Sequence, residues 1–368
     1  MTSDSCPLKH PISTFGTITR RITRQIHVGS VVIGGGAPIS VQSMTNTPTQ
    51  DTSATIGQIH QLEAAGCEIV RVAVPDVAAA DAISSIKAAI HIPLIADIHF
   101  DHHLAIRAAE AGADGLRINP GNIGGPNNVR AVVSCAKERG LPIRIGVNAG
   151  SLEKHLLETH GGATPGAMVE SALHHVDLLA RHDFDAIKIS LKASDVHRTV
   201  AAYRLLSQKV DFPLHVGVTE AGGLYPGIVK SAMGIGMLLA DGIGDTLRVS
   251  LTRDPVEEVR VGYEILKALE IRKIGPDIIS CPTCGRCEID LFSILEQVEK
   301  ALLTRKQNFK IAIMGCVVNG PGEAKEADVG IAGGRGFGIL FKKGDVVRKV
   351  PEDGLVAALL EEINRLEF

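Results

Sequence analysis

Three cysteines fall within seven residues in CPTCGRC, Cys281 to Cys287, and a fourth, Cys316, follows the apolar run KIAIMG. Zinc takes four nitrogen or sulfur ligands, and cubane iron–sulfur clusters are held by cysteines at similar spacings. A redox dithiol is a weaker reading of CPTC, because no βαβ unit opens there. Spacing alone leaves zinc and cluster both open. The chain has seven cysteines, an odd number, with Cys6, Cys67 and Cys135 scattered elsewhere. Its first residues show no apolar secretory core. The expectation is therefore a cytoplasmic protein whose cysteines serve a metal or redox site rather than a disulfide framework.

A second set of side chains suits an anion. Short β-rich runs carry Arg71; Asp97 with His99; Arg117 with Asn119; Arg144 with Gly146 and Asn148; Lys188 with Ser190 and Lys192; Thr219 beside Glu220; and Arg248 with Ser250. A spacing of two places each such group on one face of a strand. Past the residues that open these runs, only Asp97 and Glu220 are carboxylates within them. Burying unpaired cations is expensive. A bound polyanion offsets that cost, and guanidinium forks match phosphate oxygens. The set predicts a small ligand with one or two phosphates. Aromatic residues make up 3% of the chain, which disfavours a stacked nucleotide. Glu220, the only acid at the end of its run, is the candidate proton donor.

These residues need a scaffold that brings many strand ends together. From about Val31 to Leu269 the chain alternates helical stretches ending in a turn with short β-rich runs: LEAAG-CEIVRVAVPD, AAEAG-ADGLRINPG, AKERG-LPIRIGVNAG. Glycine after a helix suits a left-handed cap. Eight such strands, starting near Ile39, Glu68, Ile92, Asp114, Pro142, Ala186, Pro213 and Asp245, predict a (β/α)8 TIM barrel with its site at the C-terminal mouth. A doubly wound sheet is the alternative, but no glycine-rich phosphate loop follows the first strand. IGGGAP, Ile33 to Pro38, reads as a hairpin turn before the barrel. The barrel domain is expected over 1–270. After a linker with Gly275 and Pro276, residues 278–368 change rhythm, with a helix at Leu291–Thr304, strands FKIAIMG, DVGIAGG and FGILFKKG, and a final helix from about Glu352. This predicts a smaller α+β domain with the cysteines at one edge.

The net charge of −3 gives no support for nucleic-acid binding, and no apolar run is long enough to span a bilayer. The residues alone leave three classes open: a cluster enzyme, a non-redox TIM-barrel enzyme acting on a phosphorylated small molecule with a structural zinc domain, and an electron-carrying module. The last does not explain the row of cations.

The strings VQSMTNTPTQD, LRINPGNIG, RIGVNAGSLE, SLKASD, GVTEAGG and GIGDTLRVSLT resemble the barrel motifs of the 4-hydroxy-3-methylbut-2-enyl diphosphate synthase family. ISCPTCGRCEID and GCVVNGPGEAKEADVGIAGG resemble its cluster domain. The motifs run in the family's order from about Arg20 to the C-terminus, without the large insert of the plant-type members. The resemblance implies reductive ring opening of 2-C-methyl-D-erythritol 2,4-cyclodiphosphate in the non-mevalonate isoprenoid pathway, with electrons from flavodoxin or ferredoxin. It implies a [4Fe–4S] cluster on Cys281, Cys284, Cys316 and Glu323. A carboxylate is a harder and more easily displaced donor to iron than a thiolate. It implies substrate contacts from Arg71, Arg117, Arg144, Lys192 and Arg248, helped by His99, Asn119, Asn148 and Ser250, and a head-to-tail homodimer. The chain departs from the family pattern at Cys287, where a non-cysteine residue is usual; Cys287 is read as a bystander.

Overall fold

The computed structural model describes residues 18–303, 305–317 and 325–366. The chain divides into two compact units, Met1–Ile271 and Arg272–Phe368.

The first unit opens with a two-stranded antiparallel hairpin, β1 (Ile26–Val28) and β2 (Val31–Ile33). Eight strands follow: β3 (Ser40–Met44), β4 (Ile69–Ala73), β5 (Leu94–Asp97), β6 (Gly115–Ile118), β7 (Ile143–Asn148), β8 (Ile187–Lys192), β9 (His215–Val216) and β10 (Thr246–Leu247). Their pairing is parallel, in the order β8-β7-β6-β5-β4-β3-β10-β9. An isolated parallel bridge between Ile189 and Leu214 joins the two ends of that order. With helices between the strands, this is the (β/α)8 barrel that the alternation of runs predicts.

The turns into the helices are written in aspartates. Asp51, Asp76, Asp101, Asp195 and Asp254 each cap a helix by accepting a backbone N–H from its first turn, which satisfies donors the helix cannot use itself. The helices face the strands with small and aliphatic residues, such as Ala79, Ala80, Ile83 and Ile86 of helix Val77–Ala89. Burial of each large aliphatic side chain contributes about 1.5–3 kcal/mol.

Two details differ from expectation. The hairpin turn is Gly29–Ser30, not IGGGAP. Gly34, Gly35 and Gly36 instead carry the chain from β2 toward β3, with φ of 77°, 59° and 87°, a region open to glycine at little cost. The hairpin packs Ile26, Val28 and Ile33 against Ile69 of β4 and Ile95 of β5. Strands β9 and β10 are also shorter than PLHVGVT and DTLRVSL suggest. Beyond Val216 a Cβ on Gly217 would meet the Arg248 carbonyl at 2.4 Å, so neighbouring backbone already fills that space.

The second unit is a five-stranded sheet in the order β11 (Asp277–Ser280), β12 (Lys310–Met314), β13 (Val329–Gly334), β14 (Phe337–Lys342), β15 (Asp345–Pro351). The first three strands are parallel, the last two antiparallel. Helices Leu291–Leu302 and Leu355–Asn364 contribute Leu291, Ile294, Val298, Leu355 and Leu359 to its core. β11 occupies residues that read as the end of a linker and the approach to the cysteines. β15 is exposed at six of its seven residues, so DVVRKVP lacks the alternation that marks a half-buried strand.

Candidate functional site

The mouth of the barrel holds a cavity of about 100 Å³ lined by Arg71, Asp97, His99, Arg117, Arg144, Asn148, Ser190, Lys192, Thr219, Arg248 and Ser250. The cations come from β4, β6, β7 and β8 and from the residue just past β10. The period of two along each strand is what aims them at one space.

Charge in the cavity is only partly balanced. Asp97 bridges two arginines, with Oδ2 3.4 Å from Arg71 Nε and Oδ1 3.0 Å from Arg117 Nη1. Burial by itself raises the Asp97 carboxyl, but Arg71, Arg117 and Arg144 outweigh it and hold the carboxyl down at about 2. Arg71 also donates from Nη2 to Met44 Sδ at 2.9 Å. Arg248 pairs with Glu258 at 3.3 Å. Glu258 further accepts from Ser43 Oγ at 3.1 Å and from Leu251 N at 3.0 Å. This carboxylate lies on helix Pro255–Ala268, so a count of acids within the strands misses it.

Among the described residues, Arg144, Lys188 and Lys192 have no carboxylate in hydrogen-bond or ion-pair contact. Nε and Nη1 of Arg144 and Nζ of Lys188 are buried without a hydrogen-bond partner. Burial, reinforced by neighbouring arginines, pushes Arg144, Lys188 and Lys192 well below their ordinary ranges. An anion entering the cavity would reverse that pressure, because an opposite charge favours the protonated form.

Two glycines make room for the cationic heads. A Cβ on Gly146 would lie 2.5 Å from Arg117 Nε, and one on Gly217 would lie 2.9 Å from Lys192 Nζ. Glycine at an inward position of a strand beside a neighbour's long cation is the sequence signal for these cradles.

Nine expected contacts divide as follows. Arg71, His99, Arg117, Arg144, Asn148, Lys192, Arg248 and Ser250 line the cavity. Asn119 is buried but outside the lining, and its Oδ1 accepts from Gly121 N at 3.1 Å in the turn after β6. Glu220 is exposed, outside the lining, with a left-handed φ of 52°. Its neighbour Thr219 lines the cavity instead. Lys188 lies deeper on β8 than Lys192.

In the second unit, Cys281 follows the end of β11 and Cys316 follows β12 by two residues. Gly315 N donates to Cys281 Sγ at 3.2 Å. A Cβ on Gly315 would sit 2.7 Å from Cys287 Sγ and 3.6 Å from Cys281 Sγ, so two sulfurs flank this residue. Cys284 is exposed, and the backbone N–H of Arg286 lowers its thiol from the ordinary range. The Cys287 thiol donates to Ile289 O at 3.3 Å. Glu323 lies outside the described residues. The sulfurs of Cys281 and Cys287 lie beside Gly315 at the ends of β11 and β12, and thiol sulfur is the donor that a soft metal or iron–sulfur group takes.

Against known families, residues 23–263 match the GcpE TIM-barrel domain and residues 277–365 the GcpE protein C-terminal domain. The chain belongs to the GcpE family. Curated relatives include the "4-hydroxy-3-methylbut-2-en-1-yl diphosphate synthase (flavodoxin)" of Geobacter sulfurreducens, 63% identical over 94% of this chain and 98% of that protein. The proteins of the same name from Ruminiclostridium cellulolyticum and Thermodesulfovibrio yellowstonii are 58% and 60% identical, over 95% of this chain and 99% and 100% of theirs. In this GcpE protein the barrel and the C-terminal domain of the family follow one another in the two units described above. No helix among the described residues is long and apolar enough to cross a membrane.

Proposed function

We infer that the chain is a cytoplasmic, flavodoxin-dependent 4-hydroxy-3-methylbut-2-enyl diphosphate synthase. It opens the ring of 2-C-methyl-D-erythritol 2,4-cyclodiphosphate with two electrons and a proton and releases water. The observation that carries the reading is the unbalanced cationic cavity: Arg144 and Lys192 line the barrel mouth with Lys188 beneath them, all buried with no anionic partner among the described residues, a cost that a diphosphate offsets. The zinc-domain alternative explains the thiols but not the likeness of both domains to synthases.

Arg71, Arg117, Arg144, Lys192 and Arg248 bind the diphosphate and stabilise negative charge as the C–O bond to it breaks. His99, Asn148 and Ser250 complete the lining, and Asn119 shapes the loop beside it. Glu220 is the proton donor at the rim. Its support is by elimination, since Asp97 and Glu258 are both engaged by arginines.

Cys281, Cys284, Cys316 and Glu323 hold a [4Fe–4S] cluster. When bound, the cluster supplies single-electron transfers from flavodoxin, or from ferredoxin as the alternative donor. Two copies form a head-to-tail dimer in which each barrel is completed by the partner's C-terminal unit.

Anaerobic purification tests the reading. The expected protein is brown, carries about four irons per chain, and converts the cyclodiphosphate when supplied with reduced flavodoxin. A colourless protein with one zinc and no turnover overturns it.

A further inference from the structure

Beneath the lining residues lies a buried polar relay that the reading above leaves unused. His215 on β9 is fully buried. Its Nε2 is 3.4 Å from Lys192 Nζ, and its Nδ1 is 2.6 Å from Thr246 Oγ1 on β10. The backbone at His215 is pinned too. The Tyr203 hydroxyl donates to the His215 carbonyl and accepts from Leu191 N at 3.0 Å, tying β8 to β9 behind Lys192.

The charges facing His215 are Lys192, Arg144, Lys188 and Arg71, all cationic. Asp245, beside Thr246 in the chain, is taken up by Thr23 Oγ1 at 3.0 Å, by Leu214 N at 2.9 Å and by Arg20 Nη2 at 3.2 Å. Burial and the surrounding cations push the imidazole well below its ordinary range, so it is neutral. A lysine ammonium only donates. With Lys192 protonated, the nitrogen facing it carries the lone pair, and Nδ1–H donates to Thr246 Oγ1.

We propose that His215 is a positioning residue for anion capture: its Nε2 accepts one N–H of Lys192 and holds that ammonium protonated and aimed into the cavity. The choice of residue has a physical reason. Lys192 stands among Arg144, Arg248 and Arg71, a setting that strips its proton. A carboxylate partner would keep the proton but cancel the charge that draws the anion. A neutral imidazole acceptor favours the ammonium and leaves the charge intact. Thr246 fixes the tautomer this requires. The proposal rests on the diphosphate reading of Lys192.

The test is pyrophosphate affinity of the full chain, measured by calorimetry at several pH values below the ordinary lysine range. Glutamine at 215 keeps an oxygen acceptor at the place of Nε2 but loses Thr246. Asparagine keeps a donor toward Thr246 but loses Lys192. Both remove the ring, so a packing role would move them alike. His215→Gln is expected within about threefold of the parent throughout. His215→Asn is expected about tenfold weaker, the loss of one hydrogen bond to a charged group, with affinity that starts to fall at lower pH. If the Asn variant does not fold, Thr246→Val, which frees the tautomer, is expected to show the same shift of the pH profile. Lys192→Met is expected to bind weakly and without that pH dependence. Parental affinity in Lys192→Met overturns the diphosphate reading and this role with it. Weakened binding in Lys192→Met, with superimposable Gln and Asn profiles, overturns the role of His215 alone.

Discussion

Arg117 on β6 lies across the backbone of β7 at Gly146, where a Cβ would stand 2.5 Å from its Nε and 2.7 Å from its Nη2. The same guanidinium donates to Asp97 at 3.0 Å. One methyl group at position 146 must therefore displace a cation, break its ion pair, or both. Gly146→Ala is expected to weaken pyrophosphate or substrate binding by tenfold or more, since hydrogen bonds to charged groups contribute about 1.5–3 kcal/mol. Gly236→Ala is the control. A Cβ there meets nothing within 4 Å, so it should leave affinity unchanged and stabilise its helix by about 0.5–1 kcal/mol. Equal affinities in the two variants would remove the cradle from the argument.

Asp97 balances two arginines in the cavity, and an anionic ligand relieves the same charges. Asp97→Asn leaves Arg71 and Arg117 buried without their carboxylate. Breaking such a pair costs about 3–5 kcal/mol, so the free protein should melt several degrees lower. Saturating pyrophosphate should recover much of that loss, because the ligand replaces the missing charge. A ligand-induced rise in Tm no larger in the variant than in the parent would show that Asp97 and the ligand act on different cations.

Lys188 sets a pH dependence of stability. Its folded-state pKa lies well below the ordinary value, by burial first and Arg144 second, while the unfolded chain titrates near 10.4. Between those two values the unfolded state binds more protons, so the stability of the ligand-free barrel rises with pH across that window. Lys188→Met should flatten the rise and stabilise the free protein by roughly 1–4 kcal/mol below it, as replacing buried charge often does. Urea denaturation at several pH values reads both effects. An unchanged slope in the variant would place the titration elsewhere.

Much of this site was legible because β structure has a simple period. Arg117 with Asn119 and Lys188 with Ser190 and Lys192 stand two apart, and that alone puts them on one face. What stayed hidden came from between elements. Glu258 reaches Arg248 from a helix, so no inspection of strands reveals it. His215 and Gly217 read as ordinary members of PLHVGVT, since what they touch lies on β8 and β10. Asn119 kept the right face but turned its side chain to the following loop, where Gly121 offers an N–H. β15 escaped because an exposed edge strand needs no apolar alternation. The hairpin turn was misplaced because three consecutive glycines are a stronger turn signal than Gly29–Ser30, although all are turn residues.

Cys287 flanks Gly315 beside Cys281 yet gives its own proton to the Ile289 carbonyl. The proposed ligand set leaves Cys287 out. Cys287→Ala is expected to retain a full iron complement after anaerobic reconstitution, and Cys316→Ala to lose it. A Cβ on Gly315 would press on Cys287 Sγ at 2.7 Å but only touch Cys281 Sγ at 3.6 Å, so Gly315→Ala should leave most of the iron in place. Loss of iron in Cys287→Ala would restore a set of four cysteine ligands.

The last prediction concerns how many chains one active site needs. Barrel strands run toward the mouth and helices run back. Helix Pro255–Ala268 is the last of them, and at 1.5 Å per residue it carries the chain roughly 21 Å toward the bottom of its barrel. The second unit starts its sheet at Asp277, so the tether is residues 269–276 at most, roughly 28 Å if fully stretched. In the head-to-tail dimer proposed above, each site takes its barrel half from one chain and its thiol half from the other, and the two sites repeat by symmetry. Arg248→Ala disables the barrel half of a site and Cys316→Ala the thiol half, so each homodimer should be inactive. A heterodimer of the two, isolated through different affinity tags, contains one site with both halves intact and should recover about half the parental turnover per dimer. Well-folded heterodimers without activity would mean that each site is built within one chain.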